Sequence, residues 1–183
     1  MEQLFAPWRI EWVERDRPRG ESDECVFCSL PGESGPTPAD RDRLIVARGE
    51  HAYVLLNNYP YNPGHAMIVP YGHEGRLPAL ADDVALDMIR LRGRTVAALE
   101  HALGPDGFNV GMNLGRGAGG SIPDHLHAHV VPRWIGDTNF MAVIDDTTVI
   151  VEALEDTFER LQEGFVATSE TSPADDGAAV VLD

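Results

Sequence analysis

The sequence predicts an α+β domain: a mostly antiparallel sheet of about five strands, with one long and one shorter helix packed on one face. Three features predict it. Short β-rich runs are separated by turn residues, one long stretch near Ala81–Leu103 has helical periodicity, and histidines occupy every second position in His125-Leu126-His127-Ala128-His129-Val130-Val131. Strands clustered around two helices, instead of alternating strictly with them, favour antiparallel neighbours.

Residues 1–24 are charged and amphipathic, with Phe5, Trp8, Ile10 and Trp12 as anchors, and are expected to form an extension packed on the body. Residues 31–42 read as a loop rich in Pro, Gly, Ser and Asp. Leu44–Ala47 and Ala52–Leu56, separated by Gly49-Glu50, form a hairpin signature. The loop Asn57-Asn58-Tyr59-Pro60-Tyr61-Asn62-Pro63-Gly64 then feeds a third strand, His65–Pro70. In the long helix Val84, Met88, Leu91, Val96, Leu99 and Leu103 recur at helical spacing until Gly104-Pro105 stops it. Phe108–Leu114 reads as a strand, and the glycine-rich loop Gly115–Ser121 joins it to the histidine strand. The last helix, around Thr148–Gly164, carries Ile150, Leu154, Phe158 and Leu161 on one side. The domain is expected to span 25–166. The tail 167–183 has the composition of a disordered segment, although Ala178–Leu182 is apolar enough to dock.

Composition excludes several chemistries. A chain of 183 residues with 43% hydrophobic content is long enough to bury one core. All its 14 basic residues are arginine, so Schiff-base lysines, lysine adenylates and a P-loop lysine are ruled out. A formal charge of -16 and a pI near 4.6 argue against a general nucleic-acid binder. No apolar run is long enough to cross a membrane, and Met1–Trp8 lacks a basic start followed by an apolar stretch, so a soluble cytoplasmic protein is expected.

On a strand, His125, His127 and His129 share one face within ~13 Å. Imidazole in that position suits a nucleophile or a metal ligand near neutral pH. The adjoining glycine loop lets backbone N–H groups approach phosphate oxygens, and Ser121 adds a hydroxyl donor. Together these features point to phosphoryl or nucleotidyl transfer. Cys25-Val26-Phe27-Cys28 is too tight for an ordinary fold-stapling disulfide, which leaves metal chelation, redox chemistry or inert core cysteines. The flanking sequence lacks the strand-then-helix setting of a thioredoxin-like site.

The run His125–Val131 resembles the His-φ-His-φ-His-φ-φ signature of the histidine triad (HIT) family of nucleotide hydrolases and transferases. Pro63-Gly64-His65-Ala66-Met67-Ile68-Val69-Pro70 is similar to the family's Pro-Gly-His strand, and Asn113 and Gly115 match the residues ahead of its phosphate loop. The segments Leu4–Arg9, Asn57–His65 and Val131–Phe140 resemble the bacterial diadenosine tetraphosphate phosphorylase and hydrolase branch. One departure is Ser121, where many members carry glutamine.

The resemblance implies a HIT-like fold and an enzyme that cleaves the α-phosphate linkage of dinucleoside polyphosphates or related adenine nucleotides. His127 would form a covalent nucleotidyl intermediate, with one ring nitrogen fixed by an acceptor such as a backbone carbonyl. His129 would donate to a non-bridging or leaving oxygen, Ser121 would stabilise developing charge, and His65 would support the triad or touch substrate. Asn57, Asn113, Gly119, Gly120, Ser121 and His129 would hold ribose or phosphate. The resemblance also implies a structural zinc on Cys25, Cys28, His73 and His125, and a homodimer or higher homo-oligomer. His51 and His101 are expected to be exposed and idle, while Arg133 and Trp134 either reach the nucleotide or cap the sheet edge. The rival readings are a binding module with little turnover, or a metal sensor.

Overall fold

The computed structural model describes residues 25–32, 35–120, 122–137, 153–169, 171 and 177–182. Ser121, the 1–24 extension and the stretch 138–152, with Asn139, Phe140 and Ile150, lie outside the described residues.

Six strands form one sheet: β1 (Ile45–Arg48), β2 (Ala52–Leu56), β3 (Ala66–Pro70), β4 (Gly107–Met112), β5 (Ala128–Arg133) and β6 (Val180–Val181). Their order is β4-β5-β3-β2-β1-β6. The first five pair antiparallel, as the sequence predicts, while β6 runs parallel to β1. Among the described residues four α-helices accompany the sheet: α1 (Val26–Ser29), α2 (Ala39–Asp42), α3 (Asp82–Leu103) and α4 (Leu154–Thr168).

Every residue of β2 is buried, because both faces of the sheet are covered. On one face Val54, Leu56, Ile68 and Val130 meet the apolar stripes of α3 and α4. On the other, Tyr53, Leu55, Met67 and Val69 meet Phe27 and Ala179. Met67 stands opposite His129 in the β3–β5 ladder, which puts His129 on the face away from the long helices. α3 starts with Asp82 and Asp83 in its first turn, where carboxylates complement the helix dipole. It ends at Gly104 in the left-handed conformation (φ 59°), whose N–H bonds to the Glu100 carbonyl.

The last helix extends past the expected stop at Gly164. Gly164 lies against the α3 backbone, where an added Cβ would come within 2.4 Å of the Ala98 carbonyl oxygen, so this glycine serves helix contact and does not end the helix. The histidine strand also begins later than the alternation suggests, at Ala128. Before it, Leu126 donates its N–H to the Glu74 carbonyl (2.7 Å), so His125 and His127 lie on a segment tied to the loop after β3.

Residues 177–182 dock. Ala178, Ala179, Val180 and Leu182 are buried, and Leu182 donates its N–H to the Arg48 carbonyl (2.8 Å). A fully buried ion pair supports this edge. Arg48 donates to both Asp40 oxygens (2.7 and 3.2 Å) and to the Pro31 carbonyl (2.6 Å), and Asp40 also accepts from the Thr37 and Ala179 N–H groups. No helix among the described residues is long and apolar enough to cross a membrane.

Candidate active site and metal centre

α1 is a single turn. It brings Cys28 back beside Cys25, with the Cys28 N–H on the Cys25 carbonyl (2.9 Å). Across from them His125 Nδ1 lies 3.3 Å from Cys25 Sγ and 3.5 Å from Cys28 Sγ, and His73 Nδ1 lies 3.3 Å from Cys28 Sγ. The four ligand atoms fall within 4.8 Å of one another, and both cysteines are free of a disulfide. His125 Nε2 donates to the Pro70 carbonyl (2.9 Å), because a carbonyl only accepts, and Nδ1 therefore turns its lone pair to the thiols. Burial, aided by the neighbouring His73 and His127, holds the His125 ring below the ordinary imidazole range, against the opposing effect of the Pro70 bond. A tetrahedral zinc with two sulfur and two nitrogen ligands separates unlike ligands by about 3.5 Å. The set therefore fits such an ion.

The Cys-x-x-Cys turn also forms one wall of the adjacent site. Phe27, between the two cysteines, is buried with its ring centroid 5.1 Å from His127 and 5.5 Å from His125. Tyr53, beneath it, donates its hydroxyl to the Phe27 carbonyl (2.8 Å), and burial first, then the nearby cysteines, pushes the phenol pKa far up.

His127 is 6% exposed, and its Nδ1 lies 3.0 Å from the carbonyl of His125. Since that oxygen can only accept, Nδ1 carries the proton and Nε2 holds the free electron pair. The His129 ring sits edge-on to His127 at 4.9 Å. Behind it, His65 Nε2 is 3.0 Å from His129 Nδ1, with Asn113 Nδ2 3.4 Å from His129 Nε2. His65 is 1% exposed and does not line the cavity, so of its two expected roles the geometry favours supporting the triad. Tyr61 gives its N–H to His65 Nδ1 (3.1 Å) and stacks its ring on the imidazole at 4.8 Å and 15°.

A cavity of about 310 Å³ opens onto His127 and His129, within the ~300–1,000 Å³ common to small-molecule sites. Asn57, Asn113 and Gly120 line its polar side, and Phe27, Leu30, Leu44 and Ile122 its apolar side. Leu44 adopts φ 60°, a left-handed conformation costing about 1–2 kcal/mol for a leucine. Gly119 is left-handed (φ 79°) at the end of a short turn but is not among the lining residues. The amide of Asn57 is engaged within the protein: its oxygen accepts from the Tyr59 N–H (2.9 Å) and its nitrogen faces His65 Nδ1 (3.4 Å). Ser121 lies outside the described residues.

Arg133 is held by Asp137 through two bonds (2.6 and 2.8 Å) and by Asn109 (2.8 Å). Asp137 also accepts from the Asn62 amide and the Trp134 N–H, and its carboxyl falls to about 2, chiefly through the Arg133 bond. Arg133 is thus held at the end of β5 by Asp137 and Asn109, and neither it nor Trp134 is among the residues lining the cavity. His101 is exposed, whereas His51 is only partly so and lines a separate cleft between the β1–β2 turn and α3. Sequence reasoning missed Phe27, Tyr61, Asn62 and Asp137. All four lay inside quoted motifs, but nothing in residue spacing signals a ring packed on a histidine, a backbone N–H aimed at one or a carboxylate gripping Arg133.

A model of the HIT domain matches residues 39–134. The chain is 38% identical over 157 residues to the AP-4-A phosphorylase of Mycobacterium tuberculosis, covering 86% of this chain and 80% of that protein. It is 29% identical over 109 residues to the adenosine 5'-monophosphoramidase of Schizosaccharomyces pombe, covering 60% and 74%. Among solved structures, a zinc-bound histidine triad family protein from Mycobacterium smegmatis superposes with a TM-score of 0.61 at 23% identity, covering 79% of this chain and 94% of that one.

Proposed function

Because the chain belongs to the HIT-domain family, we propose that it is a nucleotide hydrolase or nucleotidyltransferase that cleaves dinucleoside polyphosphates, such as diadenosine tetraphosphate, at the α-phosphate. The observation that carries this reading is the His127 ring, with its Nδ1 proton held by the His125 carbonyl at 3.0 Å and the ring lining a cavity. The enzymes named among its relatives, which act on AP-4-A and on adenosine monophosphoramidate, support an adenine nucleotide as substrate.

In this reading Nε2 of His127 attacks the α-phosphorus while the bond to the bridging oxygen breaks. The ring becomes positive as the nitrogen–phosphorus bond forms, and its Nδ1 proton binds the His125 carbonyl more strongly, which favours the transition state over the ground state. His129 gives a proton to the departing oxygen and retrieves one from the incoming water or phosphate, whose attack frees His127 as AMP or ADP leaves. Asn113, Gly120 and Ser121 supply donors to the phosphate oxygens. Cys25, Cys28, His73 and His125 would hold zinc, which supplies cross-linking of the α1 turn to the histidine segment and no reaction step. The exposed backbone of β4 at Asn109–Gly111 supports edge-to-edge pairing of two protomers, readable by sedimentation.

The test is covalent labelling. Diadenosine tetraphosphate radiolabelled at the α-phosphate is expected to leave an acid-labile adenylyl group on the protein, absent from His127→Ala and present in His101→Ala. Unchanged turnover in His127→Ala overturns the assignment. Formation of ADP only when inorganic phosphate is added identifies phosphorolysis.

A further inference from the structure

Asn57, Asn113 and His129, which line the cavity, and His65 behind them form a chain of hydrogen bonds whose direction is set at its far end. Imidazole nitrogens can exchange donor and acceptor roles, and so can the two ends of an amide, but a backbone N–H can only donate. Two backbone N–H groups enter this chain. Tyr61 N–H points at His65 Nδ1 (3.1 Å), and Tyr59 N–H points at Asn57 Oδ1 (2.9 Å). The second fixes the Asn57 amide, so its nitrogen is the group that faces His65 Nδ1 (3.4 Å). His65 Nδ1 therefore meets two donors and must accept, which leaves the ring proton on Nε2.

That proton points at His129 Nδ1, 3.0 Å away, which accepts it and leaves the His129 proton on Nε2, beside Asn113. The reverse order, His129 donating to His65, would put a proton on His65 Nδ1 against both donors. A half-turn of the Asn113 amide brings its oxygen to the His129 proton, so that end of the chain adapts. The Tyr61 ring, stacked on His65 at 4.8 Å and 15°, holds the imidazole plane on which the chain depends.

We propose that Tyr61 is a positioning residue for the leaving-group proton: its N–H and its ring together lock His65, and through His65 they lock His129 with its proton on the nitrogen beside Asn113. Tyr61 is not among the residues lining the cavity, and its N–H bond and its stacked ring both fall on His65. The inference rests on the proposed role of His129 as proton donor.

The test uses the full-length, zinc-loaded protein with ¹⁵N-labelled histidine, whose nitrogen shifts report the tautomer of each ring without any substrate. In the unsubstituted protein His65 and His129 are expected as Nε2–H and His127 as Nδ1–H; His129 found as Nδ1–H overturns the proposal. In Tyr61→Leu the His129 signals should move towards a mixture of tautomers, whereas Tyr61→Phe, which keeps both ring and N–H, should match the parent. An unchanged His129 spectrum in Tyr61→Leu removes Tyr61 from the role.

Kinetics separate positioning from general loosening of the fold. In Tyr61→Leu, kcat for an adenosine phosphoramidate, whose amine must leave protonated, should fall by roughly 10²-fold, the low end of general-acid catalysis, against less than about threefold for a nitrophenyl ester of AMP. Equal losses on both substrates overturn the proposal. If Tyr61→Leu fails to fold, Asn57→Asp is read by the same spectra, because it places an acceptor where His65 Nδ1 needs a donor; an unaltered His129 tautomer there overturns the proposal equally. A parent protein that turns over neither substrate nor diadenosine tetraphosphate defeats the functional reading, while its tautomers still decide the hydrogen-bond chain.

Discussion

Replacing Gly64 by alanine should cost both stability and activity. Gly64 has φ 76°, a left-handed conformation that costs an L-residue about 1–2 kcal/mol. Its added Cβ would also lie 2.5 Å from Leu103 Cδ1, 2.8 Å from Leu99 Cδ2 and 3.2 Å from Pro132 Cγ. Overpacking of this kind adds about 1–3 kcal/mol. The sum, about 2–5 kcal/mol, corresponds to a melting temperature lower by roughly 4–20 °C in a chain of this size. Relief by backbone movement would carry the next residue, His65, away from its 3.0 Å contact with His129, so kcat should fall by roughly tenfold or more, as misplacement of a catalytic group does. Gly164→Ala is the control: its Cβ meets the Ala98 carbonyl at 2.4 Å in the α3–α4 interface, so it should lose comparable stability while kcat, measured well below its melting temperature, stays at the parent value. Thermal denaturation by circular dichroism and initial rates on diadenosine tetraphosphate supply both readings. A Gly64→Ala protein destabilised as calculated but fully active would refute the link between that packing and His65.

Chelation should lower the melting temperature and zinc should restore it, because the ion would cross-link the α1 turn to the histidine segment; metal analysis proving the ion gone with no change in melting would count against a structural site. Asp40→Asn leaves the buried Arg48 guanidinium without its charge partner, a loss of about 3–5 kcal/mol in urea unfolding, while replacing both residues with apolar ones should recover most of it. The depressed Asp137 carboxyl stabilises the folded form fully above its unfolded value of 3.8, and this contribution fades as pH falls towards about 2. Acid unfolding of Asp137→Asn should therefore show a flatter pH dependence between pH 4 and 2, and an unaltered slope would rule out its pairing with Arg133.

The features legible in the sequence were those written in local pattern. Alternation gave the shared face of His127 and His129, and periodicity with Gly104-Pro105 gave α3 and its end. The Cys-x-x-Cys spacing exposed one half of the metal cluster, but its pairing with His73 and His125 came through resemblance, since long gaps carry no geometry. The buried Asp40–Arg48 pair was invisible for a physical reason. Each residue alone reads as a solvated charge, and only docking of the C-terminal segment, whose Ala179 N–H joins Asp40, makes the site interior. The sequence-based end of the last helix falls short, at Gly164, for a similar reason: the contact of that glycine with the Ala98 carbonyl across the helix pair is not written in local pattern.

In the proposed function the alternating histidines divide into two tasks, because the ring and the carbonyl of His125 meet different partners. The ring of His125 turns to the thiols, held there by the Pro70 carbonyl behind it, while its own carbonyl takes the Nδ1 proton of His127. With its ring held between the thiols and Pro70, His125 presents its carbonyl from an anchored position, so the acceptor that orients the proposed nucleophile is tied to the cysteine cluster. Phe27 closes the same connection from the other side, as its ring touches both imidazoles and its carbonyl is pinned by Tyr53. His127 and His129 each make a structural bond through Nδ1, to the His125 carbonyl and to His65, so in the proposed function Nε2 is the nitrogen of each ring that meets the phosphate. In that reading the site is preorganised from behind, by bonds that need not change as phosphorus moves from one partner to the next.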